Sequence, residues 1–268
     1  MAHWLETSVL PAAIAAALLL LVLWPTEHSG RRLLQTWGIP QPNPGQVREA
    51  VRYLRQRRIL YVILFLAFPS LAGAIDQDSD RLSGIAIFVP LLAAMLVAEL
   101  LATLRPVSGV RVASLDRRSW RDLVPRWAVL VLAASTVVTV VLAVVGIVAG
   151  PGTAWLALGY VVACLLFVCG LVALAVRRPS VADEAVDAAL RTRTARVAVG
   201  IGFGWVGTAF TVAAGHLRSL SLVGPEPAVL PAWLTDVLDI AGFVVVAGAI
   251  VCWLWVAVPS RRSLANSR

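Results

Sequence analysis

The feature that most constrains this chain is a series of seven apolar stretches, each close to the length of a membrane-spanning helix. A helix that crosses the hydrocarbon core needs about 20 mainly apolar residues. The stretches cover residues 9–24, 59–75, 84–104, 127–149, 154–176, 197–215 and 237–257. The chain is 59% apolar and 14% charged, whereas soluble domains are about 45–50% apolar and about 25% charged. The sequence predicts an all-α polytopic membrane helix bundle with about seven transmembrane helices.

The arginines predict which side of the membrane each loop faces. Segments 25–58, 105–126, 177–196 and 258–268 carry seven, six, five and three arginines, which is 21 of the 23 basic residues. Short loops rich in Lys and Arg stay in the cytoplasm. We therefore expect a multi-pass plasma-membrane protein with its amino terminus outside and its carboxy terminus in the cytoplasm. Because this topology accounts for the net charge of +8, the expected partner of the charge is the lipid bilayer and not nucleic acid.

The whole chain, residues 1–268, is predicted to form a single membrane domain. It divides into a first helix (9–24), a cytoplasmic linker with an interfacial helix (25–58), three helical hairpins (59–257) and a cytoplasmic tail (258–268). An arginine-rich stretch with helical patterning precedes each hairpin: Gln46–Arg58, Leu115–Arg126 and Val181–Arg196. These stretches predict short amphipathic cytoplasmic helices that lie in the interface with the apolar side toward the membrane. Ser180 and Asp183 form a capping-box pattern for the third stretch.

Two acidic residues are candidates for a polar pathway through the membrane. Glu99 lies within the third predicted span, five residues before its cytoplasmic end, which places it about 7–8 Å inside that boundary. An ionisable group at this depth is paired, hydrated or functional. A structural pair with Arg105 or another arginine and a proton- or cation-coupled role both fit the pattern. Asp239, one turn inside the seventh predicted helix, is a weaker candidate for a substrate or ion contact.

The glycines of the sequence VGIGFGWVG, at the start of the sixth predicted span, indicate close helix packing. Gly200 and Gly204 have the small-xxx-small spacing that lets another helix approach. A dinucleotide fingerprint is rejected because no strand precedes the motif. The chain's three cysteines lie in apolar runs and its three histidines are scattered outside the predicted spans: Cys164, Cys169, Cys252, His3, His28 and His216. We therefore predict no catalytic residue, no cofactor and no metal site.

Three arginine-bearing segments resemble those of a large group of actinobacterial membrane proteins without an assigned activity. The matching stretches are Trp37–Arg58, Arg121–Trp127 (RDLVPRW) and Asp183–Ala195 (DEAVDAALRTRTA), about a sixth of the chain. Genes of this group often lie beside a GntR-type transcriptional regulator. The resemblance implies a polytopic membrane protein and carries no functional residue with it.

Three functions remain open from the sequence. The first is a helper or scaffold subunit that works with a membrane protein partner, favoured by the small-residue packing faces. The second is a small-solute or ion transporter that uses Glu99 and helices kinked at Pro69 and Pro90. The third is a lipid-modifying membrane enzyme, which we rank last because no cluster of Asp, His or Arg stands at one interface.

Overall fold

A computed structural model describes residues 24–75, 85–104, 119–150, 152–177, 183–223 and 231–257. Apart from caps and turns, these residues are helical, which confirms the all-α prediction for this part of the chain. The helices are α1 (Glu27–Thr36), α2 (Pro44–Ile75), α3 (Ile85–Leu104), α4 (Trp120–Leu123), α5 (Arg126–Ala149), α6 (Ala154–Arg177), α7 (Glu184–Val223) and α8 (Ala232–Ala257).

Four of these helices are long and apolar enough to cross a membrane. They are α5, α6, residues 184–221 of α7 and residues 236–256 of α8, and each contains or overlaps a predicted span. Residues 92–104 of α3 form a shorter apolar helix. The predicted spans 59–75 and 84–104 fall in α2 and α3, whereas 9–24 lies almost entirely outside the described residues. The chain is thus a helical membrane protein, and the count of seven spans stays a prediction.

Helix α7 is the central helix of the bundle. In its most apolar window 89% of the residues are buried, against 18–28% in the corresponding windows of α5, α6 and α8. The outward faces of these three helices are apolar: Val148 is 82% exposed and Phe243 is 77% exposed. Tryptophans stand exposed near the helix ends, namely Trp24, Trp127, Trp155, Trp233 and Trp255. Apolar flanks with aromatic residues at their ends are typical of a surface that faces lipid.

The arginine-rich stretches before the first and third hairpins are not separate interfacial helices, so that prediction is wrong. Residues 46–58 are the first part of the 32-residue helix α2, and residues 184–196 begin the 40-residue helix α7. At 1.5 Å per residue these helices are about 48 and 60 Å long, longer than the roughly 30 Å hydrocarbon core. No helix breaker separates the amphipathic stretch from the span in either case.

The apolar sides of these two stretches face each other and α1 instead of the membrane. Leu34 of α1, Ala50 of α2, and Val186 and Leu190 of α7 form a buried cluster. Gln46 Nε2 of α2 also donates a hydrogen bond of 2.7 Å to Asp183 Oδ2, just before α7. We call α1, residues 44–58 and residues 184–196 together the three-helix unit.

Helix α1 was not predicted, and its ends have recognisable caps. Thr26 and Ser29 form a capping box at its start, and Gly38 follows its end with a positive φ of 98°, the conformation that favours glycine after a helix. Asp183 caps α7, its Oδ1 accepting the Val186 N–H at 3.2 Å; the predicted capping partner Ser180 lies outside the described residues. Because α7 continues to Val223, His216 is a buried helix residue whose Nε2 is 3.3 Å from the Gly150 carbonyl oxygen. The expectation that His216 lies outside the spans is therefore wrong, because the candidate span 184–221 includes it.

Candidate functional site

A cluster of polar side chains lies inside the bundle, and α2 supplies three of its members. We call Tyr53, Arg57, Tyr61, Glu99, Arg193 and Thr194 the polar cluster. Tyr53, Arg57 and Tyr61 are spaced four residues apart, so they stack along the same side of the helix. Arg57 is only 2% exposed. Its guanidinium carbon lies 4.0 Å from the centroid of the Tyr53 ring, a distance at which the ring face attracts a cation. The helix therefore holds a buried positive charge against an aromatic face.

Glu99 of α3 is the acidic partner of Arg57. Arg57 Nη1 donates to Glu99 Oε1 at 2.6 Å, and Arg57 Nη2 forms an ion pair with Glu99 Oε2. The Tyr61 hydroxyl donates a hydrogen bond to Glu99 Oε1. The Glu99 side chain is completely buried. Among the described residues the ionic partner of Glu99 is thus an arginine of α2, one of the two possibilities that the sequence left open; Arg105, the other, lies outside the described residues.

Helix α7 supplies the third side of the cluster. Arg57 Nη2 donates to Thr194 Oγ1 at 2.8 Å, and Thr194 is itself 3% exposed. Arg193 Nη1 donates to the Tyr53 hydroxyl at 3.1 Å, and its guanidinium lies 5.4 Å from the Tyr53 ring centroid. The buried polar groups of three helices therefore meet at the Glu99 carboxylate.

The geometry of the polar cluster indicates that Arg57 balances the charge of the Glu99 carboxylate, which leaves no place for a metal or organic cation. Taking a carboxylate out of water is expensive unless an opposite charge and hydrogen bonds compensate it. Glu99 has both, from Arg57 and Tyr61. A metal or organic cation would have to displace Arg57 and would meet Arg193 next to it. The arrangement joins α2, α3 and α7 at one level of the bundle.

Asp239 lies far from Glu99 along the bundle. Thr194 of α7 is at the level of Glu99, because Arg57 contacts both residues. Gly200, six residues after Thr194, packs against Trp253 of α8, so the level of α8 can be read from Trp253. Asp239 is 14 residues before Trp253 along the same helix, or about 21 Å further toward the opposite end. The two predicted pathway residues are therefore not brought together.

The two predicted packing glycines contact two different helices. A Cβ atom added at Gly200 would overlap Trp253 Cδ1 of α8, so this close approach requires glycine. A Cβ at Gly204 would meet Leu92 Cδ2 of α3 at 3.4 Å, an ordinary contact. Gly202, between them, lies against α6, where Cys164 Sγ is 3.7 Å from the Gly202 carbonyl oxygen. The three glycines therefore allow three different helices to approach α7, rather than forming one packing surface for a single helix.

A second buried ion pair lies nearer the start of α7. Asp187 and Arg191, one turn apart, are 5% and 4% exposed, and Arg191 Nη2 pairs with Asp187 Oδ2. This pair stays within one helix, so it links no elements to each other.

Sequence reasoning overlooked Arg57, Tyr53, Tyr61 and Thr194 as members of the site. One signal was available: two tyrosines placed four residues before and four residues after an arginine share a helix face. Arg57 was grouped instead with the arginines expected at the membrane surface, although its position opposite Arg55 and Arg48 on the helix turns it inward.

Comparison of the chain with protein-family models, with curated proteins and with solved structures finds no match. The resemblance to the actinobacterial group stays a prediction. The function has to be argued from the arrangement of the residues themselves. Among the described residues no group of three or more His, Cys, Asp or Glu could hold a metal ion.

Proposed function

We propose that the chain is a seven-span protein of the plasma membrane with its amino terminus outside and its carboxy terminus in the cytoplasm. The four apolar helices of sufficient length and the distribution of 21 of 23 basic residues support this topology. Contacts between the helices fit it as well. The start of α5, the Arg196 level of α7 and the end of α8 lie together. Arg196 Nε donates to the carbonyl oxygen of Leu123, three residues before α5, and the Trp127 and Trp255 rings are 5.9 Å apart.

Within this topology the protein acts as a helper or scaffold subunit of a membrane system. The observation that carries the proposal is the buried Arg57–Glu99 ion pair with its Tyr61 and Thr194 contacts. It commits Glu99, the acid within the apolar helix α3, to holding helices together. A transporter that used Glu99 as its ion site would need this carboxylate free to exchange partners.

The three-helix unit gives such a subunit a surface outside the hydrocarbon core. Helices α2 and α7 are too long for the core alone, and α1 packs on their projecting ends through Leu34. The outer side of α1 is polar and exposed at Arg31, Arg32 and Gln35. A partner protein would contact this unit through these exposed polar side chains.

Purification from native membranes in a mild detergent tests the proposal. We expect a second membrane protein in constant ratio to the chain. A photoreactive amino acid at Arg31 should give one discrete protein adduct, whereas the same amino acid at Leu166 of α6, 70% exposed on an apolar face, should give lipid adducts. A chain that runs alone in every mild detergent, with no adduct at Arg31, would overturn the helper function.

A flux measurement separates this function from transport. In vesicles that contain the chain, ion or small-solute flux above that of empty vesicles, abolished by Glu99→Gln, would support a transporter and contradict the helper proposal. We expect no flux above the empty vesicles for either the wild type or the variant.

A further inference from the structure

One face of α2 changes from charged to apolar along its length. Arg48, Arg52, Arg55, Ile59 and Ile63 are separated by four, three, four and four residues, a spacing that keeps all five on one side of a helix. The three arginines are exposed, and Ile59 and Ile63 are 36% and 56% exposed. We call these five residues the α2 outer face.

The α2 outer face points away from the polar cluster and from the three-helix unit's core. The opposite side of the helix is buried at Val47, Ala50, Leu54 and Arg57. None of the ion pairs found in the described part of the chain involves an arginine of the outer face. By contrast, Arg57, Arg191, Arg193 and Arg196 are all bound to protein groups. As far as the described residues go, the outer-face arginines are therefore available to a ligand.

An aromatic ring lies beside Arg55, the last arginine of the α2 outer face. The Arg55 guanidinium lies 5.3 Å from the centroid of the Trp24 ring, and Trp24 is 43% exposed. Tryptophan prefers the boundary between head groups and hydrocarbon. Ile59 and Ile63 follow Arg55 by four and eight residues, so they lie about 6 and 12 Å further along the helix. Along the helix, the arginines are thus at the level of the phosphate of a phospholipid, Trp24 at the boundary of the head groups, and the isoleucines at the level of the acyl chains.

We infer that the α2 outer face binds an anionic phospholipid. Its phosphate lies between the Arg52 and Arg55 guanidinium groups, which donate paired N–H groups to phosphate oxygens, with Arg48 one turn further out. Its acyl chain lies along Ile59 and Ile63. An acidic protein or a nucleic acid would match the arginines but would leave the isoleucines uncovered. The site does not depend on the helper function, because it requires only that α2 stands in a bilayer.

Mass spectrometry of the intact full-length protein, released from detergent with equal amounts of phosphatidylglycerol and phosphatidylcholine, tests this site. We expect the wild type to retain phosphatidylglycerol preferentially. The double variant Arg52→Gln/Arg55→Gln should bind it roughly 30-fold more weakly, the equivalent of about 1 kcal/mol for each arginine at an anionic surface. The matched control is Arg126→Gln/Arg177→Gln, which removes the exposed arginines that begin α5 and end α6 and should retain the wild-type preference.

Two further arms distinguish a lipid from its head group alone. Ile63→Ser should weaken phosphatidylglycerol retention while all outer-face arginines remain, and soluble glycerol phosphate in excess should not displace the lipid. Unchanged melting temperatures would show that the variants are folded, since all the substituted side chains are exposed. Equal losses in the control pair, equal retention of phosphatidylcholine, or displacement by glycerol phosphate would each overturn the proposal.

Discussion

Arg57 of α2 and Glu99 of α3, 42 residues apart in the chain, form an ion pair in which both guanidinium Nη atoms contact the carboxylate. Their side chains are 2% and 0% exposed. Neither residue could be buried alone, because a single charge without a partner is strongly disfavoured in an apolar interior. The pair fixes how α2 and α3 align, and Thr194 extends the same contact to α7.

Replacement of the Tyr61 hydroxyl should weaken this cluster measurably. Tyr61→Phe keeps the ring and removes a donor to a charged acceptor, and such hydrogen bonds contribute about 1.5–3 kcal/mol. We expect the free energy of unfolding in detergent to fall by that amount. Tyr53→Phe is the comparison: its hydroxyl has contacts of 3.1 and 3.4 Å to Arg193 and Thr194, and its loss should be smaller. Equal effects would contradict the central place of Glu99.

Alanine at Gly200 should separate α7 from α8. The added methyl group would overlap the Trp253 indole, and overpacking of this kind costs about 1–3 kcal/mol. Gly204→Ala is a matched control because its methyl group fits at 3.4 Å from Leu92 and gains about 0.5–1 kcal/mol of helix propensity. Thermal unfolding should show a lower melting temperature for the first variant only. The double variant Gly200→Ala/Trp253→Leu should recover part of the loss.

The three-helix unit should depend on Leu34. This side chain is fully buried between α2 and α7, and truncation of a buried leucine to alanine costs about 2–5 kcal/mol. Because α1 is a peripheral element, we expect local opening first. Hydrogen exchange of the α1 amides should accelerate in Leu34→Ala and remain unchanged in Gln35→Ala, whose side chain is exposed. Unchanged exchange in Leu34→Ala would contradict the packing of α1.

The proposed topology predicts opposite locations for the two ends of the chain. A tag placed before Met1 should react with a membrane-impermeant reagent in intact cells. A tag placed after Arg268 should react only once the cells are opened. Both tags reacting from the same side would require an even number of spans and would remove the inside and outside assignments of every loop.

The sequence was sufficient for the positions of α5 and α6 because hydropathy is a local property. The apolar runs 127–149 and 154–176 coincide with α5 and α6 to within a residue or two, since arginines or glycines end each run. The lengths of α2 and α7 could not be read in the same way. The apolar stretch ends at the nearest arginines, whereas the helix itself continues through Arg57 in α2 and Arg193 in α7, because no helix breaker lies there.

The candidate site could be predicted only in part. Glu99 stands out in the sequence because a carboxylate in an apolar helix is rare. Its partner does not, because Arg57 belongs to a run of arginines that all look suited to the membrane surface. Tyr53 and Tyr61 mark the helix face that Arg57 shares, but whether that face turns inward depends on the packing of α1 and α7 against α2, a tertiary property.

The most direct test of the structural role of Glu99 is a double-mutant cycle on the ion pair, measured as free energy of unfolding in detergent. Arg57→Met and Glu99→Leu should each cost about 3–5 kcal/mol, because each leaves an uncompensated buried charge, and the double variant should be close to the wild type or more stable. Losses that simply add in the double variant would contradict the account, because they would show that Arg57 and Glu99 do not hold each other in the folded bundle.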